Sequence, residues 1–135
     1  MSFELDPVLA ADTCLIGDMP LSRLLLANDA RYPWCILVPR HEGLRELHDL
    51  NEGQVRMLMD ETTALSSYME QSFGAHKMNV AALGNQVAQL HVHVIVRRTD
   101  DDAWPRPVWG MHPPMEYEAH ERARRVEGLR AALLG

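Results

Sequence analysis

The sequence predicts an α+β fold: an antiparallel sheet of about five strands, one long helix packed on it, and a C-terminal helix. Three observations carry this. Short apolar runs punctuated by Gly, Asp and Pro succeed one another over residues 13–40, a long amphipathic period occupies 52–73, and two more strand-like runs follow only after it. Strands in succession with one inserted helix suit an antiparallel layout better than the regular alternation of a parallel βαβ array.

The first three strands are "TCLIGD", "LSRLLLAND" and "WCILVPR", with "MP" and "DARYP" as the breaks between them. Pro39 closes the third, because proline cannot donate to a ladder. The long helix is predicted over Glu52–Phe73. Asn51 caps it with Gln54 three residues on, a variant of the capping box, and Val55, Leu58, Met59, Thr62, Leu65, Tyr68, Met69 and Phe73 recur at three- and four-residue steps. Gly74 ends it in a left-handed conformation. Met57, Met59, Met69 and Met78 read as core filling.

The last two strands are "KMNVAAL" and "LHVHVIVRR", joined through "GNQVAQ". "TDDDAWPRPVWGMHPP" is too rich in Pro, Asp and Gly for regular structure, and its Trp104 and Trp109 read as a lid, a dimer contact or packing, the last two preferred. Residues 117–134 give a second, weaker helical pattern. With no repeat and no long linker, residues 1–135 are expected to form one domain, its motif-bearing core at about 13–98 and a C-terminal extension at about 99–135.

A chain of 135 residues buries roughly two thirds of its unfolded surface, so one core is expected. Hydrophobic residues make up 47% and charged residues 24%, as in an ordinary globular protein. The net charge of -6 and the scatter of 13 Lys and Arg argue against a partner of duplex nucleic acid. Arg122, Arg124, Arg125 and Arg130 alternate with acids and read as a solvated helix face. No apolar run approaches the ~18 residues of a membrane span, and the start lacks a leader pattern, so the expectation is a soluble cytoplasmic protein. Cys14 and Cys35 sit in apolar segments without a CxxC pair, which suits buried free thiols.

Within "NQVAQLHVHVIVRR" the side chains of a strand alternate, so Gln89, His91 and His93 share one face while Leu90, Val92 and Val94 share the other beneath the helix. Two imidazoles with Cα atoms roughly 7 Å apart then stand on a rigid platform facing away from the core. Three readings are open. The pair is a surface accident, or two ligands of a metal completed by His41, His48, His76 or His112, or a nucleophile with an assisting neighbour.

The flanking residues favour the third. "GNQVAQLHVHVIVRR" resembles the signature of the histidine-triad (HIT) family, in which a Gly-containing polar loop precedes a His-x-His-x-His strand. Gln89 stands at the first histidine position, His91 at the middle and His93 at the third. "LLLANDARYPWCILVPR" resembles the nucleoside-binding hairpin of that family, "LHDLNEGQ" the approach to its long helix, and "AWPRPVWG" a Trp-Pro segment of some members.

The resemblance implies a HIT-like fold and a nucleotide hydrolase or nucleotidyl transferase cleaving at the α-phosphate of a nucleoside phosphoramidate or dinucleoside polyphosphate. His91 would attack phosphorus to give a nucleotidyl-histidine, its other nitrogen held by the main-chain carbonyl of Gln89. His93 would bond a phosphate oxygen or the departing group, and the Gln89 amide another oxygen. Gly84, Asn85 and Gln86 would form the phosphate loop, with Asn79 and Asn28 contacting ribose or phosphate; Asn85, Gln86, Asn28 and Asn79 are equally ordinary turn formers. No cofactor and no metal is implied for the covalent step, and the expected partners are a small-molecule nucleotide and a second copy in a homodimer. The chain departs from the pattern at Gln89, at Cys35 in place of a hairpin His, at Trp34 where Gly is common, at Val96 and in a short loop. Those departures leave a nucleotide-binding module without turnover, or a metal-binding HxH protein, as alternatives.

Overall fold

The computed structural model describes residues 3–135. A short helix α1 (Pro7–Asp12) leads into the strands β1 (Thr13–Asp18), β2 (Ser22–Ala27) and β3 (Trp34–Pro39). A 3-10 turn (Leu47–Asp49) precedes the long helix α2 (Glu52–Phe73), followed by β4 (Lys77–Ala81), β5 (Val92–Arg97) and the last helix α3 (Ala119–Leu133). The sheet order is β1-β2-β3-β5-β4, with every neighbouring pair antiparallel. β5 therefore lies inside the sheet, between β3 and an edge strand that precedes it in the chain.

Local chemistry explains the element ends. Asn51 and Gln54 form the reciprocal capping box at the start of α2, each side chain meeting the other's backbone N–H at 2.9 Å. Gly74 takes the left-handed conformation at φ 62, where a Cβ would be strained, and its N–H bonds the Glu70 carbonyl. α1 lies ahead of the first predicted strand, where the sequence reading assigns no element; Asp6 caps it and Pro7 occupies its first turn, a preset backbone angle where a missing N–H costs nothing.

The helix-side core joins Leu24, Leu26, Leu37, Val92, Val94 and Val96 of the sheet to Leu58, Leu65 and Met69 of α2. Truncating a fully buried Leu such as Leu65 costs about 2–5 kcal/mol, so α2 is held by this face rather than by propensity. The buried face of α2 also carries Glu61, whose carboxylate accepts from Leu21 N–H at 2.6 Å and Ser22 N–H at 3.1 Å and ties the helix to the β1–β2 turn. Val55 and Met59, expected on that face, are 44% and 58% exposed, and Met57 is exposed as well; the buried stripe runs through positions 58, 61, 62, 65 and 69 and leaves them on its outer flank. Only Met69 of the helical methionines fills core.

α3 docks on β1, where Leu134 approaches so closely that a Cβ on Gly17 would stand 2.2 Å from its Cδ1. Of the arginines expected on a solvated face, Arg122, Arg124 and Arg130 are exposed, but Arg125 turns inward over the rings of Phe73 and Tyr117 and donates to the Tyr117 hydroxyl at 2.7 Å. Both cysteines are free; Cys35 is buried and Cys14 half-buried. No helix among the described residues is long and apolar enough to cross a membrane.

Candidate functional site

The second face of the sheet, opposite α2, carries the two histidines. Trp34 and Ile36 of β3 lie on this face, and the register sets Trp34 against Ile95 and Ile36 against His93. On the other side of β5, Ala81 pairs with His93 and Asn79 with Ile95. Leu90 and Val92 point the other way, into the helix-side core, as alternation requires. β5 begins only at Val92, because the Leu90 N–H is spent on the Leu44 carbonyl at 3.0 Å instead of on a ladder.

His91 sits just ahead of β5 with its Nδ1 at 2.7 Å from the main-chain carbonyl oxygen of Gln89. A carbonyl only accepts, so Nδ1 carries the proton and, in the neutral ring, Nε2 carries the lone pair. His93 is held differently. The indole N–H of Trp34 donates to His93 Nδ1 at 3.0 Å, which places the proton of the neutral ring on Nε2. The two imidazoles meet edge to face with centroids 4.9 Å apart.

The expectation that both rings stand on an open platform is overturned. His91 is 5% and His93 7% exposed. The cover is the segment after β5, which folds back over this face: Trp109 packs edge-on against His93 at 5.1 Å and against Trp34 at 6.0 Å. Burial, with the neighbouring His91 ring second, pushes the His93 pKa down to about 4, so the ring is neutral near pH 7.

A buried clasp holds the cover down. Arg97, 1% exposed, pairs with Asp101 through Nε at 2.9 Å, donates to the Arg106 carbonyl at 2.7 Å and to Asn79 Oδ1 at 2.9 Å, and lies against the rings of Tyr32 and Trp104. Desolvation raises the Asp101 pKa, but hydrogen bonds from Arg97 and from the backbone of Arg98 and Trp104 outweigh it and hold the carboxyl below its ordinary range. Trp104 thus packs, with His76 edge-on to it at 5.2 Å, and His112 bonds the Asp102 carbonyl at 3.0 Å. Among the described residues no group of three or more His, Cys, Asp or Glu is placed to hold a metal ion.

The other sequence-predicted residues divide. Gln89 is near the histidines, but its amide is engaged elsewhere: Oε1 accepts from Asp6 N–H and Nε2 donates to the Glu4 carbonyl, each at 2.9 Å. The first-position side chain expected to bond a phosphate oxygen is thus a latch for the N-terminal segment, whose Phe3, Leu5 and Leu9 pack with Leu25, Ile36, Val38 and Val87. Asn79 is bound to Arg97. Asn28 follows β2, its N–H on the Asp12 carbonyl. Gly84, Asn85 and Gln86 lie exposed in the β4–β5 loop, the first two beside a groove of about 370 Å³ shared with residues 45–48 and Leu90.

Cys35, which stands in place of a hairpin His of the family, is the buried free thiol that its apolar segment predicts. Its side chain faces the helix-side core, where burial pushes the thiol up to about 12, and the residue on the histidine face is its neighbour Trp34. Strand alternation is the reason. Arg97 is the residue of this face that sequence reasoning missed; the departure at Trp34 and the Pro-rich loop of Trp109 are legible in the sequence, but not that the two rings meet at His93.

The fold is shared closely with solved structures. A histidine triad protein from Bradyrhizobium japonicum is 45% identical with a TM-score of 0.97, covering 98% of this chain and 99% of its own. One from Marinobacter aquaeolei VT8 is 48% identical with a TM-score of 0.96, covering 99% of this chain and 98% of its own. A diadenosine triphosphate hydrolase of Plasmodium falciparum, 14% identical over 98% of this chain and 82% of its own with a TM-score of 0.58, shares the fold alone. No curated protein matches the chain in sequence. The model of the HIT domain matches residues 9–100, two thirds of the sequence and both histidines, and the chain belongs to the HIT domain family.

Proposed function

We propose that the chain is a nucleotide hydrolase or nucleotidyl transferase, with His91 as nucleophile, in a Gln-x-His-x-His variant of the family motif. One observation carries the reading: Nδ1 of His91 is committed to the Gln89 carbonyl at 2.7 Å, which makes Nε2 the nitrogen that carries the lone pair in the neutral ring. In the first step that lone pair forms an N–P bond to the α-phosphorus, and the bond from phosphorus to the leaving group breaks with its electron pair. In the second, water attacks phosphorus, the N–P bond breaks and the pair returns to Nε2, while the water proton goes to solvent. The Nε2–H of His93 supplies a donor to the phosphoryl oxygens, on which negative charge is spread in the transition state. The loop through Gly84, Asn85 and Gln86 adds donors, and the motif-bearing core at 13–98 with its extension works as one domain on a small-molecule nucleotide in the cytoplasm. Exposed Val55 and Met59 of α2 and Val80 of the edge strand β4 offer apolar surface to a second copy in a homodimer.

A nucleotide-binding module without turnover is the second reading, favoured by the burial of both rings. One experiment separates them. Purified protein and His91→Ala are mixed with adenosine or guanosine phosphoramidates and dinucleoside polyphosphates. Product from the native chain alone, with an acid-labile nucleotidyl adduct, supports catalysis; binding without product supports the module.

A further inference from the structure

His93 differs from an ordinary site histidine in what bonds its Nδ1. An indole can only donate, so the 3.0 Å contact from Trp34 Nε1 demands a bare Nδ1 and confines the ring proton to Nε2. We propose that Trp34 is a positioning residue that locks His93 as a neutral Nε2–H donor, and that the site thereby cleaves bonds whose leaving group departs as an anion in preference to those whose leaving group is an amine. The inference rests on the hydrolase reading above and names the substrate class of that same site.

The surroundings of His93 offer nothing to charge it. Just ahead of its strand is the His91 ring at 4.9 Å and, farther along it, Arg97, already paired with Asp101. β3 presents Trp34 and Ile36, β4 presents Ala81, and the covering segment presents the Trp109 ring at 5.1 Å. The remaining ionisable group nearby is the Tyr32 hydroxyl, whose ring stacks edge-on to Trp34 at 6.4 Å and whose pKa is raised, first by burial, so it stays neutral. Among the described residues no carboxylate hydrogen-bonds His93. A second proton on Nδ1 would face the indole donor, donor against donor, inside an apolar box. Its pKa near 4 agrees.

The consequence follows from bond breaking. When His91 Nε2 attacks an anhydride, the bridging oxygen takes the P–O electron pair and leaves as a phosphate anion, stable without a proton. When it attacks a phosphoramidate, the departing nitrogen must gain a proton as the P–N bond breaks. Neutral His93 could supply one only by becoming an imidazolate, and the Gln89 amide has no acidic proton to give. The proton must then come from water, a far weaker acid than a protonated imidazole.

The test compares two adenosine substrates of one base, a diadenosine polyphosphate and an adenosine phosphoramidate, on the native chain and on Trp34→Phe, which keeps an aromatic ring but loses the donor. The native chain is expected to favour the anhydride in kcat/KM by about tenfold or more, and Trp34→Phe to narrow that ratio, most at the acid end of the profile where His93 now takes a proton. Nitrogen-15 spectra of the imidazoles give a readout that packing loss alone would not move. In the native chain His93 should hold one tautomer, Nδ1 bare, from about pH 8 to about pH 5, and in Trp34→Phe it should average between tautomers. Equal rates on both substrates, a ratio unmoved by Trp34→Phe, or a native His93 protonated at Nδ1 would each overturn the proposal. Cleavage of neither substrate sinks the hydrolase reading and this one with it, whereas cleavage of both at equal rate sinks this one alone.

Discussion

Acidification from pH 7 to pH 5 should destabilise this fold by about 2 kcal/mol through His93 alone. Burial and then the adjacent His91 ring lower its pKa in the folded chain to about 4, against an ordinary value of 6.5 that the unfolded chain regains. Above 6.5 both states hold a neutral ring and the contribution vanishes. Between 6.5 and 4 the unfolded chain binds a proton that the native chain refuses, so stability falls as pH drops through that window. The whole window is worth about 3 kcal/mol, of which about 2 lies above pH 5. The assay is chemical unfolding of the native chain and of His93→Asn at both pH values. Asn keeps an acceptor for the Trp34 indole but does not titrate. Asp18 and Asp101, whose pKa values are lowered, protonate below this window and do so in both proteins. The native chain should therefore lose about 2 kcal/mol more than the variant between the two conditions. Equal losses would mean that His93 takes its proton normally in the folded state, and the account of its box would be wrong.

Arg97→Met should cost about 3–5 kcal/mol in unfolding free energy, because it strands the Asp101 carboxylate, only 6% exposed, without its partner; a loss under 1 kcal/mol would show that the clasp is dispensable. Gln89→Ala should cost about 1–2 kcal/mol and speed hydrogen exchange at the Asp6 amide, while β5 amides such as Val94 stay protected. Asn51→Ala should remove about 1 kcal/mol by uncapping α2, measured the same way. Alkylation of the native protein should label Cys14 long before Cys35, since burial raises the Cys35 thiol to about 12; equal rates would place Cys35 at the surface.

Most of the fold was readable because its signals are local. The periodicity of α2, the Asn51 box and the Gly74 stop each depend on residues within one or two turns of one another. The strands were readable for the same reason, and so was the separation of His91 and His93 from Leu90 and Val92, which needs only the two-residue period of a strand. Exposure was less legible. Val55 and Met59 carry the right spacing for a core face, yet the stripe that meets the sheet passes beside them, and a buried Glu61 stands in it because two backbone N–H groups of the β1–β2 turn face it.

The sequence by itself determined the pair on which the site is built: two imidazoles in alternation, preceded by a carbonyl that any residue at position 89 would supply, so that the His91 tautomer survives a change of side chain. Tertiary structure alone decided their surroundings. That Trp34 and not Cys35 faces His93, that Gln89 latches the N-terminal segment, and that Trp109 packs on His93 all depend on long-range neighbours. The insertion of β5 beside β3, some 59 positions away in the Trp34–His93 pair, and the Arg97 clasp that folds the chain back bring them together. A strand's own periodicity states which side chains share a face; only the packing of separate segments states what lies upon it.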